Sequence, residues 1–286
     1  MLLISTSIRT GHASTQLLTY SVTHLMPTAL ITGASRGIGR AFAAELARRG
    51  YDVLLVARSA DQLAQVAAEL RQQHGIKAHT LPCDLAAPGA AEQVATWAQA
   101  QAPELTVLIN NAGYGLWGRF EELTLTEQQN MLQLNMHLPV ALTHLLLPSL
   151  HRSVKAYILN VASTAAYQAV PTLTLYAASK AFLLSFSRGL RYELRESGVS
   201  VTCLSPGATT TDFADRAGMS AGLQATANKV SMTPAQVAQA GIVALLAGEA
   251  EVIPGALNKI SSKLTNLVPK ALTEKIAAGI YEKHLK

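Results

Sequence analysis

A doubly wound parallel α/β sheet, three layers deep (α/β/α) and one domain in extent, is the architecture that three observations in the sequence predict. An apolar run, Ala29, Leu30 and Ile31, leads into glycines at Gly33, Gly37 and Gly39 and then into a helical segment from Arg40. Apolar strands and helical patterns then alternate along the chain, a pattern that builds a parallel sheet with helices on both faces. No linker rich in Pro, Gly or Ser divides the 286 residues, and a hydrophobic content of 49% supplies apolar surface for a core.

The first strand and its turn fill residues 28–39, TALITGASRGIG. Glycine suits such a turn because backbone N–H groups at the helix start must approach an anion closely, and the positive helix end favours that anion. YDVLLVARS is the next strand, and a helical pattern over residues 61–74 completes a βαβ unit. IKAHTLPCDL, a helix over 90–101 and LTVLIN at 105–110 extend the series. A helical region over 126–151 precedes the strand KAYILNVAS, which ends near Ser163. A long helix over 174–196, closed by Gly198, leads into VSVTCLSPG. Residues 207–233 show no firm periodicity and are expected to form a lid over a substrate. Pro234 opens a helix through Leu246, and EVIPG reads as a short last strand or turn.

The chain is accordingly divided into an extension over 1–25, a main domain over 26–254 and an amphipathic helical segment over 255–286. That last segment carries aliphatic residues at helical spacing with Lys259, Lys263, Lys270, Lys275, Lys283 and Lys286 between them. It is expected to pack on the body or on a second subunit in preference to lying on a membrane surface. Residues 1–25 hold Arg9, two histidines and no acid, without the compact apolar core of a secretory signal. They read as a disordered tail or as sequence upstream of a true initiator at Met26, with a transit peptide as the alternative; a cytoplasmic place is expected.

Composition narrows the function. Charged residues make up 14% with a formal net charge of +5 and no block of like charge, which argues against a nucleic-acid partner and against extended disorder. Cys83 and Cys203 lie at strand ends, where small buried side chains are common, and neither belongs to a pattern with metal spacing. His137, His144 and His151 recur every seven residues. Neighbours are then about 10.5 Å apart along a helix axis, too far to share one ion, so no metal is expected. The apolar stretch over 131–150 is interrupted by Gln133, Asn135, His137, Pro139, His144 and Pro148, which favours a buried helix over a membrane span.

The candidate chemistry sits at strand ends and on two helices. Tyr176 and Lys180, in YAASK, share a helix face at four-residue spacing. An ammonium beside a phenol stabilises the phenolate, so the pair can transfer a proton. Ser163 emerges at the carboxyl edge of the sheet, where ligands of such folds bind, and can bond a substrate carbonyl or simply cap a turn. Asn110, Asn111, Ala112 and Gly113 follow another strand at that edge. Asn135 lies in an apolar helix, where a polar side chain needs a partner.

In order, TGASRGIG, CDL, NNAG, Asn135, Ser163, YAASK and PGATTT resemble the short-chain dehydrogenase/reductase family, in its compact single-domain branch, over about residues 28–246. The resemblance implies a Rossmann fold and a catalytic tetrad of Asn135, Ser163, Tyr176 and Lys180. It implies that Gly33, Gly37 and Gly39 form the pyrophosphate turn, with Asp84 at the adenine and Asn110, Ala112 and Gly113 at the adenosine ribose and central strand. Ile38 and Thr211 would contact the nicotinamide half, and Ser35, Arg36, Pro206, Gly207 and Thr209 are further cofactor-binding candidates. Tyr176 would protonate a carbonyl as hydride arrives, Ser163 would polarise it, and Lys180 would lower the Tyr176 pKa and hold the nicotinamide ribose, while Asn135 holds a water.

NAD-binding sites place a carboxylate near the end of the second strand, whereas Ala57, Arg58 and Ser59 stand there. Arg58 with Arg36 fits a 2′-phosphate, so NADP(H) is the expected cofactor. The expected substrate is a small-molecule carbonyl or alcohol, a hydrophobic ketone of ketoacyl or steroid-like kind; a non-catalytic NADPH sensor is the rival reading. Family members pair through the helices that carry Asn135 and Tyr176, which implies a homodimer or homotetramer.

Overall fold

The computed structural model describes residues 26–265 and 268–285; the expectations for residues 1–25 and for Lys286 lie outside them. Apolar runs bounded by turns become seven parallel strands: β1 (Thr28–Thr32), β2 (Asp52–Ala57), β3 (Ala78–Pro82), β4 (Val107–Asn110), β5 (Ala156–Val161), β6 (Val199–Leu204) and β7 (Glu251–Val252). Their spatial order is β3-β2-β1-β4-β5-β6-β7. The chain winds outward in one direction from β1 and in the other from β4, so these two neighbours flank the switch point at which a ligand crevice opens beyond the carboxyl ends. Ala29 of β1 pairs with Val53 on one side and Val107 on the other.

Both faces of the sheet are covered, which explains why the strands are continuously apolar. Ala29 and Ile31 face one core with Phe42 and Leu46 of α1 (Gly37–Arg48), Leu63 of α2 (Ala60–His74) and Val237 of α9 (Pro234–Leu246). Leu30 faces the other, with Val94 of α3 (Ala90–Gln101) and Leu142 and Leu146 of α5 (Leu138–Leu150). Tyr176 and Lys180 stand on α6 (Thr174–Glu193), between β5 and β6 in the chain.

The structure departs from the sequence expectation in three places. The helical region over 126–151 is broken into α4 (Leu125–Leu132), a π-helical turn (Gln133–His137) and α5, the wide turn being centred on Asn135. Residues 207–233 hold two short helices, α7 (Phe213–Arg216) and α8 (Ala221–Asn228), each too brief to show a repeating apolar period. The C-terminal segment forms α10 (Ala256–Leu264) and α11 (Lys270–Tyr281), but its aliphatics face away from the body. Small and polar residues take the inner side because contact there is close. A Cβ at Gly207 would lie 2.5 Å from the Asn258 amide of α10.

Candidate active site

The glycine turn is built by backbone that only glycine tolerates. Gly33 and Gly37 have φ of +69° and +55°, and a Cβ on Gly39 would fall 2.1 Å from the Gly33 carbonyl oxygen. Helix α1 starts here without a side-chain cap, so its leading N–H groups have no side-chain acceptor. Thr32 knits this turn to the loop after β4: its hydroxyl donates to Ile109 O at 3.2 Å and accepts from the N–H groups of Asn111 and Ala112, both at 3.0 Å. Ser35 stands half-buried in the turn, and Ile38 packs against the first core.

Asn110 is the residue of this group that the structure places differently. Its side chain points into the body and donates to Thr143 Oγ1 at 3.1 Å and Asn160 Oδ1 at 2.9 Å. It therefore staples β4 to β5 and α5, and its amide does not reach the cleft. Ala112 and Gly113 remain at the edge. Asp84, exposed beyond β3, accepts from Ala86 N at 3.2 Å.

The proposed tetrad converges behind Gly113. A Cβ at Gly113 would lie 2.9 Å from Asn135 Oδ1 and 3.4 Å from Lys180 Nζ, so the loop touches both because glycine stands there. Asn135 donates to Tyr114 O at 3.0 Å and Ser179 Oγ at 3.1 Å and accepts from Tyr114 N at 3.2 Å. This buried side chain thus clamps the π-turn to the loop and to α6. Ser163 caps the 3-10 turn Thr164–Tyr167, accepting from Ala165 N at 3.1 Å, and its hydroxyl stands beside the Tyr176 phenol.

Tyr176 and Lys180 are 8% and 5% exposed. Burial pushes the Tyr176 phenol up to about 12, with the neighbouring Ser163 hydroxyl working against it. Burial likewise brings the Lys180 ammonium down to about 8. Lys180 Nζ donates to Val161 O at 2.8 Å and lies 5.8 Å from the Tyr176 ring centroid. The expected lowering of the phenol pKa by Lys180 is thus not what the chain by itself presents: desolvation outweighs it, and the ammonium is turned to a backbone carbonyl.

The segment over residues 207–233 meets the glycine turn and Tyr176. Pro206 O accepts from Thr164 N at 2.9 Å, Thr209 Oγ1 donates to Gly207 O at 3.1 Å, and a Cβ at Gly37 would lie 3.2 Å from the Thr211 methyl. Phe213 packs on Tyr176 with ring centroids 5.3 Å apart. Met131, Val170, Leu173 and Tyr281 complete an apolar wall around Tyr176.

Three arginines gather at the outer end of the cleft. Arg58 is exposed after β2, and Arg36 Nη1 bridges to Asp212 Oδ2 of the lid at 3.1 Å. Arg216 of α7 stacks over the Tyr114 ring at 4.5 Å, and its pKa is lowered first by burial and then by the charges of Arg58 and Arg36. Sequence reasoning missed Arg216 and Tyr281; the available signal was that Arg216 is the single arginine of residues 207–233. A groove of about 590 Å³ lies away from this chemistry, beside His137, His144 and Phe182. Among the described residues no group of three His, Cys, Asp or Glu could hold a metal ion.

A family model described as short chain dehydrogenase matches residues 27–221. The chain belongs to the short-chain dehydrogenase family. Like other oxidoreductases of this family it is built on a single nucleotide-binding sheet. Ketoacyl reductase HetN of Nostoc sp. is 34% identical over 243 residues, 84% of this chain and 82% of that protein. The very-long-chain 3-oxoacyl-CoA reductase of Anas platyrhynchos is 37% identical over 184 residues, and the chain spans only 58% of its length. Among solved structures, a short-chain dehydrogenase from Sphingobium yanoikuyae in complex with NADPH superposes with a TM-score of 0.74 at 32% identity, covering 86% of this chain and 97% of that one.

Proposed function

We propose that this dehydrogenase is an NADP(H)-dependent reductase that interconverts a hydrophobic ketone and its secondary alcohol. The observation that carries the reading is the buried pair of Tyr176 and Lys180, whose Nζ lies 5.8 Å from the Tyr176 ring centroid, with the Ser163 hydroxyl beside the phenol and Phe213 and Met131 walling it. A dinucleotide fits the residues present: the cradle at Gly33 and Gly39 leaves no room for a Cβ, and the uncapped start of α1 offers N–H donors to a pyrophosphate. Arg58, Arg36 and Arg216 offer guanidinium forks to a 2′-phosphate, and a carboxylate at position 58 would be needed for the 2′-OH contact of an NAD site.

When bound, the nicotinamide supplies or removes the hydride. Tyr176, kept protonated by burial, donates its proton to the carbonyl oxygen in reduction and recovers it in oxidation. Ser163 donates a second hydrogen bond to that oxygen and orients it. Lys180 holds the nicotinamide ribose and steadies negative charge on Tyr176 as the proton leaves. Asn135 keeps Gly113 and Ser179 in register with Lys180. The apolar wall excludes water and favours substrates without charge near the carbonyl. The printed activities of the relatives, a ketoacyl reductase and a 3-oxoacyl-CoA reductase, support that substrate class. Pairing through the helices beside the His137–Phe182 groove, as a homodimer or homotetramer, belongs to the same reading.

The test is NADPH consumption against aliphatic, aromatic, acyl-thioester and steroid ketones, with Tyr176→Phe as control. Turnover that the control abolishes is expected. Tight NADPH binding with no turnover across the panel would replace the reductase with a nucleotide sensor.

A further inference from the structure

Six large aliphatic side chains with no cover mark the C-terminal segment. Leu257, Ile260 and Leu264 form one stripe on α10, exposed by 74%, 56% and 50%; Leu272, Ile276 and Ile280 form another on α11, exposed by 50%, 57% and 41%. The buried positions of the same helices are Ser262, Thr273 and Ala277. An ordinary surface helix does the reverse, turning its apolar stripe to the core and its polar side to water. Six large aliphatic side chains left substantially exposed to water on two successive helices favour a partner that covers them.

Charge identifies that partner. Between residues 255 and 285 stand five lysines, at 259, 263, 270, 275 and 283, and two acids, Glu274 and Glu282, a net charge of +3 (5 − 2). At about 100° per residue, Lys263 borders the α10 stripe with Lys259 farther round on the same side, Lys275 borders the α11 stripe, and Glu274 lies on the opposite side of α11. Lysines at the border of an apolar stripe can lay their stems along acyl chains and keep their ammonium groups at the headgroups. A two-fold contact between copies would instead bring the same lysine rows face to face, with few acids to answer them. No described helix is long and apolar enough to cross a membrane, so the segment would lie in the interface plane.

We propose that the α10–α11 face docks this protein on an anionic lipid surface. The inner side of the same segment reaches the candidate active site. Tyr281, at the end of α11, packs in the apolar wall around Tyr176, and a Cβ at Gly222 of α8 would lie 2.9 Å from His284 Nδ1. Docking therefore sets the wall of the site directly behind the lipid-facing helices. The docking stands whatever carbonyl the site reduces.

The test is co-sedimentation of the full chain with phosphatidylcholine vesicles, with and without phosphatidylglycerol. Wild type is expected to bind the anionic vesicles, more weakly as salt rises, and to leave neutral vesicles in the supernatant. Ile260→Gln/Ile276→Gln should lose about tenfold or more in partitioning. Lys259→Glu/Lys263→Glu should lose binding to the anionic vesicles selectively. Both variants should keep NADPH binding and the wild-type melting temperature, since the positions are exposed. Failure of wild type to bind anionic vesicles overturns the proposal, as does equal binding by wild type and the isoleucine variant. So does a dimer in light scattering that Ile260→Gln/Ile276→Gln separates, which would make the face a contact between copies. NADPH turnover by a protein that ignores vesicles would remove the docking and leave the proposed reaction standing.

Discussion

The corner at Tyr176 and Lys180 and the rim at Arg36, Arg58 and Arg216 handle charge in opposite ways. At the corner two titratable groups are nearly sealed, and burial moves both toward neutrality, the phenol to about 12 and the ammonium to about 8. At the rim like charges stand together, partly in water, and Arg36 is held only by an exposed bridge to Asp212. On the proposed reading, a proton is transferred where water does not compete, whereas a phosphate is captured from solvent and later released. Desolvation serves the first need and screened, repelling cations the second.

The largest effect expected from breaking this contrast is at the corner. Tyr176→Phe should lower turnover by about 10²–10⁴-fold while fluorescence titration shows NADPH binding retained. At the rim, Arg58→Asp should weaken NADPH binding by about 10–100-fold, narrow the gap to NADH and flatten the salt dependence. An unchanged NADPH/NADH ratio would remove Arg58 from cofactor selection.

A third change sharpens the contrast through stability. The folded-state pKa of Lys180 lies below the ordinary lysine value, so the folded protein binds its proton less readily than the unfolded chain. Wild-type stability should therefore rise as pH climbs from about 8 toward the unfolded lysine value. Lys180→Met should be more stable at neutral pH, by on the order of 1–3 kcal/mol, with the gain fading above pH about 10. Melting curves across that range check it, and no arginine of the rim should show such behaviour. In wild type, kcat/KM for ketone reduction should fall as pH rises through about 8, where Lys180 loses its charge, and pH profiles of the initial rate would show it. The smallest effect is expected for Arg216→Ala, a few-fold loss of NADPH affinity with little change in turnover, since its loss leaves Arg36 and Arg58 in place.

The strands were legible because each is an apolar run between turn residues, and the glycine turn because its backbone excludes any side chain. Asn135 announced itself as a polar residue in an apolar helix. The π-turn around it did not, because one wide turn leaves the apolar pattern on either side intact. Helices α7 and α8, of 4 and 8 residues, are too short for a period to emerge. The Lys180 pKa depends on burial, which spacing along a helix does not report. Arg216 escaped notice because it reaches the rim only through the fold, far along the chain from Arg36. The apolar residues of α10 and α11 were visible as a pattern, but which side of each helix meets the body depends on contacts far along the chain, such as that of Asn258 on α10 with Gly207.

The bridge from Arg36 to Asp212 spans the mouth of the cleft, with the glycine turn on one bank and the lid on the other. Both partners are largely exposed, so the bond holds the lid by no more than about 1 kcal/mol. On the proposed reading, a phosphate that takes Arg36 does so at the expense of Asp212, so that nucleotide arrival and release of the 207–233 segment become one exchange of partners. In kinetic terms this exchange is expected to give a bias of no more than about fivefold toward the sequence coenzyme before ketone, with product inhibition patterns to match. Asp212→Asn would loosen that sequence toward random entry without touching the chemistry.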